Sequence, residues 1–136
     1  MKQPFPSLEL LPAVFSKYRG IKAVYLFGSA ATDSVRPDSD LDLGIVPADD
    51  SIHEKKLELL TELAGLGFCN VDIVFLDVND IVLRFEIVKH NRVIYRTDDF
   101  DSGAMFSLTL RQYTDFLPYL KVQREALKKR ILHGQC

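Results

Sequence analysis

The 136-residue sequence has only two cysteines, Cys69 and Cys136, and no long uninterrupted run of apolar residues. Two cysteines do not make a disulfide framework, and they fit a protein of a reducing compartment. No apolar stretch approaches the roughly 20 residues of a membrane-spanning helix, and the N-terminus does not read as a signal peptide. We therefore expect a cytoplasmic protein that does not cross a membrane.

An excess of positive charge is also absent. Seventeen Lys and Arg stand against nineteen Asp and Glu, for a formal net charge of −2. This balance provides no general attraction to a phosphate backbone, so direct DNA binding is not expected. The length fits one domain over residues 1–136, with a core at about 8–97 and a C-terminal helical segment at about 101–132.

The apolar periodicity predicts short strands that alternate with helices. Helices are expected at 8–19, 51–66, 79–90 and 101–132, and strands at 21–27, 40–46, 71–76 and 92–95. In the 51–66 helix, Ile52, Leu57, Leu60, Leu63 and Ala64 are expected to share the buried face. Asn79 is the expected N-cap of the next helix, and Pro118 is expected to bend or split the last one. The order predicts an α/β or α+β fold, a small mixed sheet flanked by helices, with strand directions left open.

The most informative stretch is 28–42, GSAATDSVRPDSDLD, which follows the first apolar strand. Gly28-Ser29 reads as a tight turn, where a glycine lets backbone N–H groups approach a phosphate closely. Asp40 and Asp42 open the second strand. Because residues two apart in a strand point to the same face, both carboxylates should converge on one place.

Converging carboxylates repel one another unless a cation lies between them. Oxygen ligands of this kind suit Mg²⁺, which binds through one or two carboxylates together with substrate phosphates. Asp72 begins a third apolar strand with Val74 and Leu76 on its face, and an acid in that setting is expected to be partly buried and to need a partner. These residues predict nucleotide chemistry at a metal site.

Gly-Ser, ten residues and then Asp-x-Asp, with a third acid on a later strand, resembles the DNA polymerase β-type nucleotidyltransferases. The short chain is similar to their minimal (MNT) branch, whose antitoxin members are encoded beside HEPN-domain toxins. The resemblance extends over about 15–120, including the Leu83-Arg-Phe-Glu-Ile87 and Tyr113-Thr-Asp-Phe-Leu-Pro118 segments.

This resemblance implies the roles of the site residues. Asp40, Asp42 and Asp72 would be the catalytic acids and hold Mg²⁺, two ions in all, and Asp72 would help to deprotonate the attacking hydroxyl. Gly28 and Ser29 would bind the β- and γ-phosphates of ATP, the AMP donor, with Arg36 as a further phosphate contact. The implied acceptor is a tyrosine of a cognate HEPN toxin, with which the protein would form a hetero-oligomer.

The sequence departs from the family pattern directly after Gly28-Ser29. Family members commonly carry Arg-Gly where this chain has Thr32-Asp33. The change removes a cation and adds an anion near the expected triphosphate. Two alternatives therefore stay open: an antitoxin with weakened catalysis that acts by binding the toxin, and a small-molecule nucleotidyltransferase of the aminoglycoside type.

Two other groups of residues support weaker interpretations. The three histidines, His53, His90 and His133, have no metal-ligand spacing to each other and are expected to be solvated or packed. Lys121, Arg124, Lys128, Lys129 and Arg130 form a basic C-terminal helix. It is expected to be a solvated face, with contact to an acidic partner as the functional alternative.

Overall fold

A computed structural model describes residues 8–28, 41–68, 70–77 and 79–133. Its sheet has four strands, β1 (Ile21–Phe27), β2 (Leu41–Pro47), β3 (Val71–Phe75) and β4 (Val93–Arg96), in the spatial order β3-β2-β1-β4. β1 pairs antiparallel with both β2 and β4, whereas β2 pairs parallel with β3. The mixed sheet that the sequence predicts is therefore confirmed, and its strand directions are now defined.

Within the described residues, four α-helices accompany the sheet. They are α1 (Leu11–Phe15), α2 (Lys56–Gly65), α3 (Ile81–Val88) and α4 (Ser102–His133). Short 3-10 segments, Leu8–Leu10 and Asp50–Lys55, precede α1 and α2. None of the helices within the described residues is long and apolar enough to cross a membrane.

The two faces of the sheet are buried under different helices. Val24, Leu26, Leu43 and Ile45 contribute to one core cluster with residues of α1 and α2. Strand residues whose side chains point to the other face form a second core cluster with α3 and the start of α4. The buried members of this cluster are Ala23, Tyr25, Val46, Leu76, Ile87, Val88 and Phe100. Because side chains alternate along a strand, Asp42, Gly44 and Val46 share this second face, called here the α3 face.

The buried face of the 51–66 helix and the N-cap of α3 both differ from the sequence prediction. Leu57 was expected on the buried face of its helix but is 76% exposed. The buried residues on this side are Ile52, Leu59 and Leu63. At about 100° per residue Leu57 lies roughly 140° around the helix from Ile52, whereas Leu59 and Leu63 lie within about 20° of it. The side chain that caps α3 belongs to Asp80, not Asn79, and accepts a hydrogen bond from the Leu83 amide.

The last helix has the predicted length but is not split at Pro118. α4 continues through Pro118 to His133 as one helix, with no split. Pro118 is exposed, so the carbonyl that its missing N–H leaves free can bond to water. α4 packs against α3, and Phe85 stacks on Tyr113 with ring centroids 4.0 Å apart.

Gly44 allows α3 to approach the sheet closely. A Cβ at this position would lie 2.5 Å from Cγ2 of the fully buried Ile87. We expect Gly44→Ala to destabilise the protein by about 1–3 kcal/mol, because a packed core yields poorly to an added methyl group. Urea denaturation of Gly44→Ala against Gly65→Ala measures this. A methyl group on Gly65 would meet nothing within 4 Å, so its substitution should be neutral or stabilising; equal losses in both variants would contradict the packing account.

Tyr25 is fully buried, and its hydroxyl has no hydrogen-bond partner among the described residues. Burial raises the pKa of this phenol to about 12. Since the folded-state pKa lies above the ordinary value of about 10, the stability that Tyr25 contributes is complete below pH 10 and is lost as the pH rises towards 12.

We expect Tyr25→Phe to stabilise the protein by roughly 1 kcal/mol at neutral pH, because it removes an unsatisfied buried hydroxyl. The variant should also lose less stability than the wild type between pH 10 and 12. Urea melts at pH 7, 10 and 11.5 test both expectations. A variant that is less stable at pH 7 would show that the hydroxyl has a bonding partner.

Candidate functional site

Two of the predicted site acids lie side by side on neighbouring strands. β2 and β3 are parallel, and their register pairs Asp42 directly with Asp72. Paired residues of adjacent strands point to the same face, with backbones roughly 4.8 Å apart. The parallel register thus brings together two carboxylates that are 30 positions apart in the chain.

Gly28 lies beside Asp42 on the side of β2 that faces β1. Phe27, the last residue of β1, pairs with Asp42, and Gly28 follows with φ of +68°. A Cβ on Gly28 would lie 2.3 Å from Oδ2 of Asp42. Glycine is therefore required here twice, because L-residues avoid this backbone conformation and because the carboxylate occupies the space of a side chain.

On the α3 face of β2, the apolar packing around Gly44 gives way to the acidic residue Asp42 two positions earlier. Ile87 of α3 covers Gly44, whereas Asp42, two positions earlier on the same face, is half-buried and Asp72 is exposed. Partial burial of Asp72 was expected, and this prediction is wrong. Among the described strands β3 is at the edge of the sheet, and none of them covers its outer side. Val74 and Leu76 do pack on the α3 face, as the alternation predicts.

The described residues therefore combine three of the sequence-predicted site positions: Gly28, Asp42 and Asp72. Ser29, Arg36 and Asp40 lie outside the described residues, as do Thr32 and Asp33. The backbone of Arg92 lies next to this end of β1, because its carbonyl accepts a hydrogen bond from the Leu26 amide at 2.8 Å.

A second group of polar side chains was missed by the sequence interpretation. Ligand atoms of Asp50, His53 and Asp77 all lie within 4.8 Å of one another, a group that could hold a metal ion. His53 was compared only with the other histidines, whereas its neighbours in space are carboxylates. The sequence signal available was the Asp-x-x-His spacing of 50–53 in a segment that directly follows a strand.

The two groups lie at opposite ends of the parallel strand pair. Asp42 and Asp72 are second in β2 and β3, whereas Asp50 and Asp77 follow the C-terminal ends of the same strands. Asp77 is five positions after Asp72, which corresponds to roughly 16 Å along an extended chain. The two groups are therefore separate sites.

Comparison with known proteins assigns the fold to a family. The model of the family described as polymerase beta, nucleotidyltransferase matches residues 9–100. The chain thus belongs to this family of nucleotidyltransferases, in agreement with the motif resemblance and with the mixed sheet that carries it.

Individual members of the family and solved structures are also similar to this chain. The chain is 27% identical over 108 residues to the protein adenylyltransferase MntA of Shewanella oneidensis, covering 79% of this chain and 73% of that protein. Among solved structures, a toxin–antitoxin complex with AMP-PNP matches with a TM-score of 0.65 and 23% identity, covering 91% of this chain and 96% of that chain. A re-refined complex of tri-AMPylated Shewanella oneidensis HEPN toxin with MNT antitoxin matches with a TM-score of 0.62 and 22% identity, covering 92% and 95%.

The contact between Gly28 and Asp42 gives a testable coupling. Gly28→Ala should destabilise the wild type by about 2 kcal/mol or more, from backbone strain together with the collision with Oδ2. In an Asp42→Ala background only Cβ of residue 42 remains, at 3.6 Å, which is an ordinary contact. The cost of Gly28→Ala should therefore fall by roughly 1 kcal/mol. A double-mutant cycle from urea melts measures this difference, and strictly additive effects would refute the contact.

Proposed function

We propose that the protein is a Mg²⁺-dependent nucleotidyltransferase that transfers AMP from ATP to a tyrosine hydroxyl of a cognate HEPN toxin and so acts as its antitoxin. The observation that carries this proposal is the register of β2 and β3, which pairs Asp42 with Asp72 next to the left-handed turn at Gly28. Carboxylates paired in this way and an adjoining glycine turn are the two halves of a metal–nucleotide site.

The residues at this end of the sheet fit magnesium. Two carboxylates on one face provide hard oxygen donors, which are the ligands that Mg²⁺ prefers. Asp42 and Asp72 would hold the ions together with Asp40, which the two-residue spacing assigns to the same face. Bound Mg²⁺ would neutralise the charge of the triphosphate and of the departing pyrophosphate.

The chain's own residues would bind the nucleotide and move the proton. Gly28 and Ser29 would donate backbone N–H groups to the β- and γ-phosphates, an approach that the missing Cβ of Gly28 permits. Arg36 would add a cation to the same phosphates. The acceptor oxygen would form a bond to the α-phosphorus as the bond to pyrophosphate breaks, and the acceptor proton would pass to the Asp72 carboxylate, whose exposure leaves it accessible to a second protein.

The acceptor and the partner are inferred from the relatives. The curated relative is named a protein adenylyltransferase, and one structural neighbour is an MNT antitoxin in complex with an AMPylated HEPN toxin. ATP as the donor is supported by the AMP-PNP complex among the structural neighbours. A hetero-oligomer with the toxin follows from the same comparison.

Thr32 and Asp33 favour one second candidate, an antitoxin that neutralises the toxin mainly by binding. A negative charge beside the expected triphosphate opposes nucleotide binding. The two functions differ in what they leave on the toxin: transfer adds AMP covalently, whereas binding leaves the mass of the toxin unchanged.

We expect Asp42→Asn and Asp72→Asn each to lower AMP transfer roughly 10³-fold. A neutral amide replaces an anionic ligand, and electrostatic stabilisation by a bound metal is worth several kcal/mol. The measurement is the intact mass of the proposed cognate HEPN toxin after incubation with ATP and Mg²⁺. Asp98→Asn, an exposed acid without a hydrogen bond or ion pair among the described residues, is the matched control and should transfer AMP at the wild-type rate.

The same experiment separates the two candidates. Added AMP with the wild type, lost in both site variants, supports the transferase. An unmodified toxin that is nevertheless silenced by the wild type and by Asp42→Asn alike would replace it with the binding antitoxin.

A further inference from the structure

We propose that Asp50, His53 and Asp77 form a binding site for Zn²⁺ or a similar transition-metal ion, separate from the proposed magnesium site. The three side chains come from two segments, and their ligand atoms lie within 4.8 Å of one another. One imidazole nitrogen and two carboxylates form a mixed donor set, which selects zinc-like ions over Mg²⁺ and Ca²⁺.

The backbone places two of these ligands on one side of a helical turn. Asp50 and His53 stand three residues apart in the 3-10 segment Asp50–Lys55. With three residues per turn, side chains at these positions eclipse one another, so both point the same way. Asp49 does not compete for this position, because its carboxylate accepts hydrogen bonds from the backbone and side chain of Ser51.

The parallel sheet positions the third ligand, Asp77. Asp77 follows the end of β3, and the 3-10 segment follows the end of β2, which is parallel to β3. The carboxyl ends of parallel strands meet at one edge of a sheet, so the two segments lie side by side. The imidazole ring of His53 packs on Phe75 with ring centroids 4.3 Å apart, and its Nε2 lies 2.8 Å from Oδ2 of Asp77.

These distances suit a metal ion with little rearrangement. Ligand atoms of a tetrahedral zinc ion, each about 2.0–2.2 Å from the metal, lie roughly 3.3 Å apart. His53 and Asp77 are already slightly closer than this. Asp50 is exposed and makes no hydrogen bond or ion pair with any described residue, so its carboxylate can move the remaining distance freely.

A bound ion would join the segment before α2 to the end of β3. In the metal-free protein only the contact between His53 and Asp77 makes a polar link there among the described residues, and both side chains are about 40% exposed. Three protein ligands leave a fourth position for water. The ion would therefore strengthen the sheet edge opposite Asp42 and Asp72, and nucleotidyl transfer would not require it.

The test is titration of the metal-free full chain with Zn²⁺ alone, by calorimetry and by thermal unfolding. At zinc concentrations about 100 times the dissociation constant, the melting temperature of the wild type should rise by about 10 °C. Asp50→Asn should leave the metal-free melting temperature unchanged, because Asp50 has no partner to lose among the described residues, and should weaken zinc binding at least tenfold. His53→Gln should weaken it about 100-fold or more.

Two controls make the result decisive. His90→Ala removes an exposed histidine elsewhere and should leave zinc binding unchanged. Asp50→Asn and His53→Gln should weaken zinc binding by the same factors in an Asp42→Asn background, which removes any zinc bound at the proposed magnesium site. Binding through the terminal thiol of Cys136 would persist in Asp50→Asn and His53→Gln, so equal zinc affinity in these variants and the wild type would overturn the proposal. Absence of any zinc-dependent shift in the wild type would overturn it as well. Neither outcome bears on AMP transfer, so this proposal and the proposed function fail independently.

Discussion

The parallel pairing of β2 with β3 is the constraint on which the rest of the structure depends. Its hydrogen-bond ladder sets Asp42 beside Asp72 at one end of the pair. At the other end it sets the segment that follows β2 beside the segment that follows β3. A shift of one residue would turn Asp72 to the opposite face of the sheet, so the acidic pair exists only in this register.

Packing on the two faces maintains that register. Leu43 and Ile45 of β2 and Ile73 and Phe75 of β3 are buried on the side of α1 and α2. On the α3 face, Gly44 admits Ile87 at close range, which brings α3 down onto β2. α3 therefore covers the sheet up to Gly44 and leaves Asp42, two residues earlier, open to a ligand. Gly44 therefore marks the boundary between the part of this face that α3 covers and the end that carries Asp42.

Much of this arrangement could be predicted from the sequence, because strong local patterns encode it. The apolar runs around Tyr25, Leu43 and Ile73 predicted the strands that carry the site. The φ of +68° at Gly28 agrees with the tight turn predicted for Gly28-Ser29, of which Ser29 lies outside the described residues. Strand direction could not be predicted, since parallel and antiparallel pairings of the same runs satisfy the same alternation. The exposure of Asp72 depends on its strand being at the edge, which is a property of topology and not of local sequence.

Local ambiguities account for the other errors. Leu57 and Leu59 are both apolar, and the prediction put the wrong one on the buried face, although the seven-residue spacing from Ile52 favours Leu59. Asn79 and Asp80 are both good N-caps, so the residue types alone do not distinguish between them. His53 and Asp77 are 24 positions apart in the sequence. The parallel pairing of β2 with β3 brings them together, and local sequence patterns do not reveal it.

The central claim is that Asp42 and Asp72 ligate the metal that serves nucleotidyl transfer. The most direct measurement is AMP transfer by Asp42→Cys and Asp72→Cys in Mg²⁺ and in Mn²⁺ with trace Cd²⁺. A thiolate binds hard Mg²⁺ poorly and softer ions well. The account predicts that both variants are inactive with Mg²⁺ and regain transfer with the softer ions, relative to the wild type. Equal relative activity in every metal would show that these carboxylates do not touch the ion.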